Sequence, residues 1–467
     1  MTTPVYNLVQ TDPLTQLMKW GHDHTHFIHT IRYGLDGVAV TFGLIGLVTM
    51  TSQAIPLMMG SALCFLFVEV CIVALDILGV LAIDRNVQAY TPGTINESCL
   101  YYENNLPILK IRAQNHYTAG YDHGYLTAHQ VVSVYKRMKL LFLIGYLRID
   151  NRLYNRLNEI KKMIPEPYLD EMRGVVDGVN ERLRQDSWWP MQLTLEDLLQ
   201  LHLIPDLMHL ALSPPKFLMG CTAVVGKDPQ TNQVQVARNL DWPGFGIGRL
   251  TLLKITHIDG KKPFLESTFA GAVGAISGAN STLFVSMNVA EPKEPIQDPY
   301  ISEGMLSLFL NRQVLETDSS VQDTLDAKRQ AAVPYHMLVA DQNTAVFFHH
   351  GQHHDRSTIV REMNLKVDQP HFTLNCWHST NEPLKKPTTR FYGNSRYENV
   401  HRIWTQKKSS SLNEKLDAVS QAPGINNPMT VHSLQWDRKF FELRYDGGFA
   451  GTSSVRHKID ISEHLSV

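Results

Sequence analysis

From Gly37 to Val68 the chain carries no charged residue, and its apolar character continues past Glu69 and Asp76 to Ile83. This pattern predicts a hydrophobic helical hairpin over 35–85, with arms Val38 to Met59 and Ala62 to Ile83 broken near Pro56 and Gly60. Each arm is about the length of a short membrane span. Arg32 and Arg85 flank the pair, as suits a re-entrant hairpin with both ends on one side of a membrane. The competing reading is a hairpin buried in a soluble domain, because the two acids of the second arm are costly in lipid. Residues 1–34 read as a leader without a cleavable signal, and 86–104, with Pro92 and Gly93, as a linker.

Beyond residue 105 the periodicity becomes that of a folded domain. Leu106 to Ile111 predicts a strand, and Tyr117 to Ile144 a helix. Apolar spacings of three and four predict helices over Arg152–Met163, Glu166–Arg184 and Leu195–Leu212, the last ended by Pro214-Pro215. From Cys221 onward strands dominate: Thr222–Gly226, Val234–Asn239, Arg249–His257, Pro263–Phe269 and Thr282–Asn288. Helices then follow at Tyr300–Arg312 and Ser320–Ala331. Further strands lie at His336–Asp341, Ala345–His350 and Phe372–Asn375, then helices at Ser395–Trp404 and Leu412–Gln421, and a β-rich tail. Strands and helix pairs in blocks imply an α+β sandwich of sheets covered by helices rather than a parallel doubly wound sheet.

The 467 residues carry a net charge of -2 with no basic block, so nothing points to nucleic acid. Five scattered cysteines form no metal-binding or disulfide-like spacing. No phosphate-binding glycine motif supports a nucleotide, and no cofactor or metal is expected. Two histidine groups, at 22–29 and 349–354, lack acidic or cysteine partners at zinc-site spacing; the second reads as exposed strand ends at a hairpin tip. Asn96-Glu97-Ser98 and Asn280-Ser281-Thr282 fit the glycosylation triplet.

The chemistry concentrates at mid-chain. Gly220-Cys221-Thr222-Ala223-Val224-Val225 leads through a turn over Asp228 to Gln233 into Ala237-Arg238-Asn239-Leu240-Asp241-Trp242. An antiparallel hairpin would bring Cys221, Arg238 and Asp241 together. A guanidinium beside a thiol favours the thiolate, so the trio suits nucleophilic catalysis. The bland alternative is a buried structural cysteine beside a surface ion pair.

At these residues the chain resembles the cysteine N-terminal-nucleophile (Ntn) hydrolases, in the group of the isopenicillin N acyltransferases, choloylglycine hydrolases and acid ceramidase-like amidases. Gly278-Ala279-Asn280 followed by Leu283 to Asn288 resembles a second family element, with its glycine turn shortened. Thr373-Leu374-Asn375 and Gly393-Asn394-Ser395-Arg396-Tyr397 resemble two later ones. Upstream, His116 to Gly124, Tyr168 to Gly174 and Leu195 to Leu199 resemble the segments that precede the nucleophile. The likeness covers roughly residues 105–467 and implies an αββα sandwich, with 105–220 as its N-terminal part and 221–467 as its catalytic part.

The resemblance implies that Cys221 attacks the Gly220 carbonyl, that the bond between Gly220 and Cys221 breaks, and that the two pieces remain associated. A glycine before the nucleophile tolerates the strained backbone this requires. The freed α-amine, with a reference pKa near 8, then serves as base for its own thiol. By resemblance Asp241 orients that amine, Arg238 favours the thiolate, and Asn288 and Asn375 supply oxyanion donors. Arg396 supports the group, with Arg390 as rival for its place. The expected activity is hydrolysis of an N-acyl amide through an acyl-thioester, with a small-molecule or lipid substrate and a membrane partner for 38–83. Alternatives on the same fold are an acyltransferase, a phospholipase B-like acyl hydrolase, or an inactive membrane-tethered binding protein.

Overall fold

A computed structural model describes residues 90–143, 160–186, 192–207, 220–242, 247–289, 304–350, 358–362, 365, 370–374, 393–407, 410–427, 430–445, 452 and 455–465. The chain divides into two units, 1–88 with 188–192, and 89–187 with 193–467. The second unit holds all the described residues but Gln192. The expected hydrophobic hairpin lies outside them. Among the described residues no helix is long and apolar enough to cross a membrane.

Two sheets form the second unit. The first runs in the order β1 (Gly93–Ile95), β2 (Ser98–Glu103), β3 (Leu106–Ala113), β6 (Thr251–Ile258), β7 (Phe264–Phe269), β8 (Ser277–Asn280), β9 (Phe284–Val289), β10 (Tyr335–Ala340), β11 (Ala345–His350), β12 (Ile359–Glu362). The other runs β13 (His371–Thr373), β4 (Gly220–Lys227), β5 (Val234–Asp241), β14 (Thr430–Trp436), β15 (Phe440–Tyr445), β16 (His457–Asp460). Every neighbouring pair is antiparallel except β3 with β6.

The two-residue period of a strand sorts its side chains into layers. Ala223 and Val225 of β4 and Val236 of β5 meet Leu253, Leu265, Phe284 and Leu338 of the first sheet in one apolar core. Between them, Val224 and Ala237 face outward, onto Val400, Ile403 and Trp404 of α7 (Gly393–Gln406) and Leu412 and Leu416 of α8 (Leu412–Ser420). The first sheet is covered by α2 (Ala128–Leu143) and α5 (Ser307–Thr317) through Val134, Met138, Leu308 and Val314. Helix, sheet, sheet, helix is the layering expected of an Ntn sandwich.

Several boundaries differ from the sequence expectation, each for a local reason. The expected linker 86–104 carries β1 and β2, joined at Asn96, whose φ of 51 makes the turn while Ser98 and Leu100 are buried. The expected single helix from Tyr117 breaks at Thr127, whose hydroxyl donates to the His123 carbonyl, giving α1 (His116–Leu126) and then α2. The helix expected over Ser320–Ala331 ends at Asp326, before Lys328 at φ 45, as α6 (Val321–Asp326). β8 was not expected at all. Its turn into β9 is closed by Asn280, whose Oδ1 accepts from the backbone N–H groups of Thr282 and Leu283 at 2.9 and 2.8 Å. That side-chain turn replaces the missing glycine. It also buries Asn280, which removes it as a glycosylation acceptor in the folded chain.

Candidate active site

The hairpin that carries the site is set by its turn. Asp228 Oδ1 accepts from the N–H groups of Gln230 and Thr231 at 2.8 and 2.9 Å, and Asn232 takes φ 59. The register that follows pairs Ala223 with Arg238, Cys221 with Leu240 and Gly220 with Asp241. Asp241 therefore stands across the ladder from the bond between Gly220 and Cys221.

Alternation along β5 gives Arg238 and Asp241 different surroundings. Arg238 reaches Cys221 Sγ at 3.5 Å and the Met287 carbonyl at 2.8 Å through Nη2, while Nη1 meets His432 Nε2 at 3.1 Å. Asp241 instead bonds Arg396 of α7, Asn427 Nδ2 at 2.9 Å and Thr430 Oγ1 at 2.6 Å. The expected trio is thus a pair plus a bridge. Arg396 joins the two, because it also donates through Nη1 to the Cys221 carbonyl at 3.4 Å and through Nε to the Gly424 carbonyl at 3.2 Å. All four residues are buried, so their charges act through little solvent.

Burial pushes the Cys221 thiol above its ordinary pKa; Arg238 and Arg396 pull it down, Asp241 pushes it up, and a bond from the Val289 backbone lowers it. Burial likewise raises the Asp241 carboxyl, against Arg396, Thr430, Asn427 and Arg238. A thiol shifted upward in this way calls for a base to take its proton before it reacts. Beside it lies a small cavity lined by Pro205, Leu240, Trp242, Ile276, Met287 and Val289, with Cys221 and Arg238 as its polar edge.

Asn288 is buried at the end of β9 and its Nδ2 donates to the Thr373 carbonyl at 3.1 Å, so its side chain ties the two sheets together. Its Oδ1 has no partner among the described residues. The backbone group that bonds the thiol is that of Val289, its neighbour. Asn375 and Arg390 lie outside the described residues.

His349 and His350 are buried in β11, not exposed at a tip; His349 Nδ1 meets His336 Nδ1 at 2.8 Å and His350 stacks on Tyr335. The remaining histidines of both groups, at 22–29 and 353–354, lie outside the described residues. Among the described residues no group of three His, Cys, Asp or Glu could hold a metal ion.

Sequence reasoning missed His432, Ser267, Asn427 and Thr430. His432 sits alone in an alternating strand, with no spacing to mark it. Its link to Arg238 is visible only through the β5–β14 ladder.

Residues 229–423 match the model of a family described as acyl-coenzyme A:6-aminopenicillanic acid acyl-transferase. No curated protein matches the chain. The matched stretch begins just after Cys221 and includes Arg238, Asp241, Asn288, Asn375 and Arg396. It carries the Ntn resemblance through all the site positions that follow the thiol. Over that stretch the chain is similar to the isopenicillin N acyltransferase-like Ntn-hydrolase families, which supports the resemblance read from the sequence.

Proposed function

We propose that the protein is an autoproteolytically matured N-acyl amide hydrolase with Cys221 as its nucleophile. The observation that carries this reading is the buried Arg238 guanidinium 3.5 Å from Cys221 Sγ, with Asp241 paired across from Gly220. In maturation, Sγ bonds to the Gly220 carbonyl carbon, the C–N bond to Cys221 breaks, and water releases the thioester as a Gly220 carboxylate. The Cys221 α-amine is then free beside Asp241, whose carboxylate accepts its hydrogens. In turnover the amine takes the thiol proton, sulfur attacks the substrate carbonyl, and the departing amine takes the proton back. Water then cleaves the acyl-thioester to a carboxylic acid. Asn288, including its backbone N–H, and the side chain of Asn375 are the donors this reading assigns to the oxyanion.

The apolar side chains around the small cavity beside Cys221, among them Leu240, Trp242 and Ile276, favour an apolar group next to the scissile bond. A lipid N-acyl amide, in keeping with a membrane partner for the apolar stretch 38–83, is the substrate this reading puts first. A second reading keeps every step to the thioester and gives the acyl group to an amine instead of water; the transferase description of the matched family favours it. Product analysis with and without added amine separates the two.

The test is a denaturing gel with N-terminal sequencing. The expected outcome is two pieces, the second beginning at Cys221, and a Cys221→Ala variant that stays whole and does not turn over an N-acyl amide panel. A parent protein that remains one chain and behaves like Cys221→Ala overturns the reading.

A further inference from the structure

Among the fully buried polar residues that the mechanism above leaves without a role, His432 and Ser267 lie in line behind Arg238. His432 Nε2 is 3.1 Å from Arg238 Nη1, and His432 Nδ1 is 3.1 Å from Ser267 Oγ on β7 of the other sheet. A guanidinium has donors only, so His432 Nε2 must present a lone pair to it. The ring proton then sits on Nδ1 and is donated to Ser267. Donation thus runs outward from Arg238, to Cys221 on one side and through His432 to Ser267 on the other.

Arg238 has few other restraints. Its Nε has no partner among the described residues. The plane of the guanidinium is set by its two ends, His432 at Nη1 and the Met287 carbonyl at Nη2. We propose that His432, its tautomer set by Arg238 and its ring anchored by Ser267, is a positioning residue that aims Arg238 at the Cys221 sulfur. This rests on Cys221 as nucleophile for its functional meaning, but the geometry it asserts holds in the uncleaved chain.

The arrangement requires a neutral imidazole. Burial lowers the pKa of His432 well below its ordinary value, and the facing Arg238 charge adds to that. The charged groups acting on the thiol are Arg238, Asp241 and Arg396. Of these His432 touches only Arg238. Removing the ring would leave Nη1 buried without an acceptor and its aim unset.

The experiment reads the thiol itself. Ultraviolet thiolate absorbance is followed against pH, as the difference between each protein and the same protein carrying Cys221→Ala. His432→Leu is expected to raise the midpoint by about one unit, a tenfold loss of thiolate at fixed pH, because the guanidinium charge moves off the sulfur. His432→Gln, whose amide can accept from Arg238 and donate to Ser267, is expected to restore most of it. Ser267→Ala, which removes the anchor at Nδ1 while keeping the ring, is expected to shift it the same way by less.

If His432→Leu does not fold, Ser267→Ala still decides, since a purely structural histidine leaves its midpoint at the parent value. An unchanged midpoint in folded His432→Leu or in Ser267→Ala overturns the inference. A parent that is never cleaved, yet shows these shifts, overturns the proposed function and leaves the positioning role standing.

Discussion

His202 and Asp206 stand on one helix, α4 (Leu195–Leu207), and titrate in opposite senses. His202 donates through Nδ1 to the Leu198 carbonyl at 2.8 Å and accepts through Nε2 from the Val273 N–H at 2.8 Å, so it must be neutral to do both. Burial brings its pKa down from 6.5 to about 4, with Lys254 and Arg312 adding to the effect. Asp206 accepts from Ser307 in the first turn of α5, and its Oδ2 has no partner among the described residues. Burial pushes its carboxyl from 3.8 up to about 7. The unfolded chain protonates His202 while the folded chain does not, so that term removes stability as pH falls from 6.5 to about 4. The folded chain keeps the Asp206 proton that the unfolded chain has lost, so the other removes stability as pH rises from 3.8 to about 7. Each is worth about 3 to 4 kcal/mol at 1.36 kcal/mol per unit. Across their shared window the two slopes cancel, and the parent hides both. Asp206→Asn is expected to unmask the His202 term. In urea titrations, its unfolding free energy relative to the parent should climb by up to about 4 kcal/mol between pH about 4 and about 7. A difference that stays flat with pH would mean the carboxyl titrates normally in the fold.

At the scale of elements, the closest contact is between α1 and α3 (Glu166–Gln185). A Cβ on Gly120 would lie 1.9 Å from the Glu171 carbonyl oxygen, and one on Gly124 would lie 2.1 Å from that of Val175. The relation is reciprocal: Cβ atoms on Gly174 and Gly178 would lie 2.1 Å from the Tyr117 and Tyr121 carbonyl oxygens. Four glycines in two four-residue steps let the backbones touch, and no rotamer change can relieve such a clash. Gly120→Ala gains about 1 kcal/mol in helix propensity. It loses about 3 kcal/mol or more by prising apart packed helices. A net drop in the urea midpoint is therefore expected; an unchanged or raised midpoint would show that the helices separate freely. The glycines of α1 and Gly174 of α3 were legible as motif residues, but their pairing was not, since only the fold brings the two faces together. The same division runs through the molecule. Strong periods gave α3, β4, β5 and β11 nearly to the residue. β1, β2 and β8 are three to six residues long and need tertiary partners to be strands at all. The thiol, Arg238 and Asp241 were legible because one hairpin holds them. His432 and Ser267 were not, because they arrive from different sheets.

At the scale of the whole molecule, the bond between Gly220 and Cys221 divides a chain whose two parts share one core. The part before it supplies β1, β2 and β3 to the first sheet, and β3 pairs in parallel with β6 from Ile108 with Leu253 through Ala113 with Ile258. Leu106 and Ile108 enter the core between the sheets. Across the same divide, Glu171 of α3 pairs with Arg312 of α5, Tyr168 donates to Glu316 at 2.9 Å, and His123 accepts from the Gly271 N–H at 2.9 Å. These residues are buried, so added salt screens them little. Separating the parts would expose a strand edge, apolar core and unpaired charges together, and breaking one buried ion pair alone costs about 3–5 kcal/mol. Cleaved protein is therefore expected to run as one species on gel filtration, at low and at high salt alike, and to yield two pieces only in denaturant. Pieces that part on dilution, or in salt alone, would show that the shared sheet does not hold them.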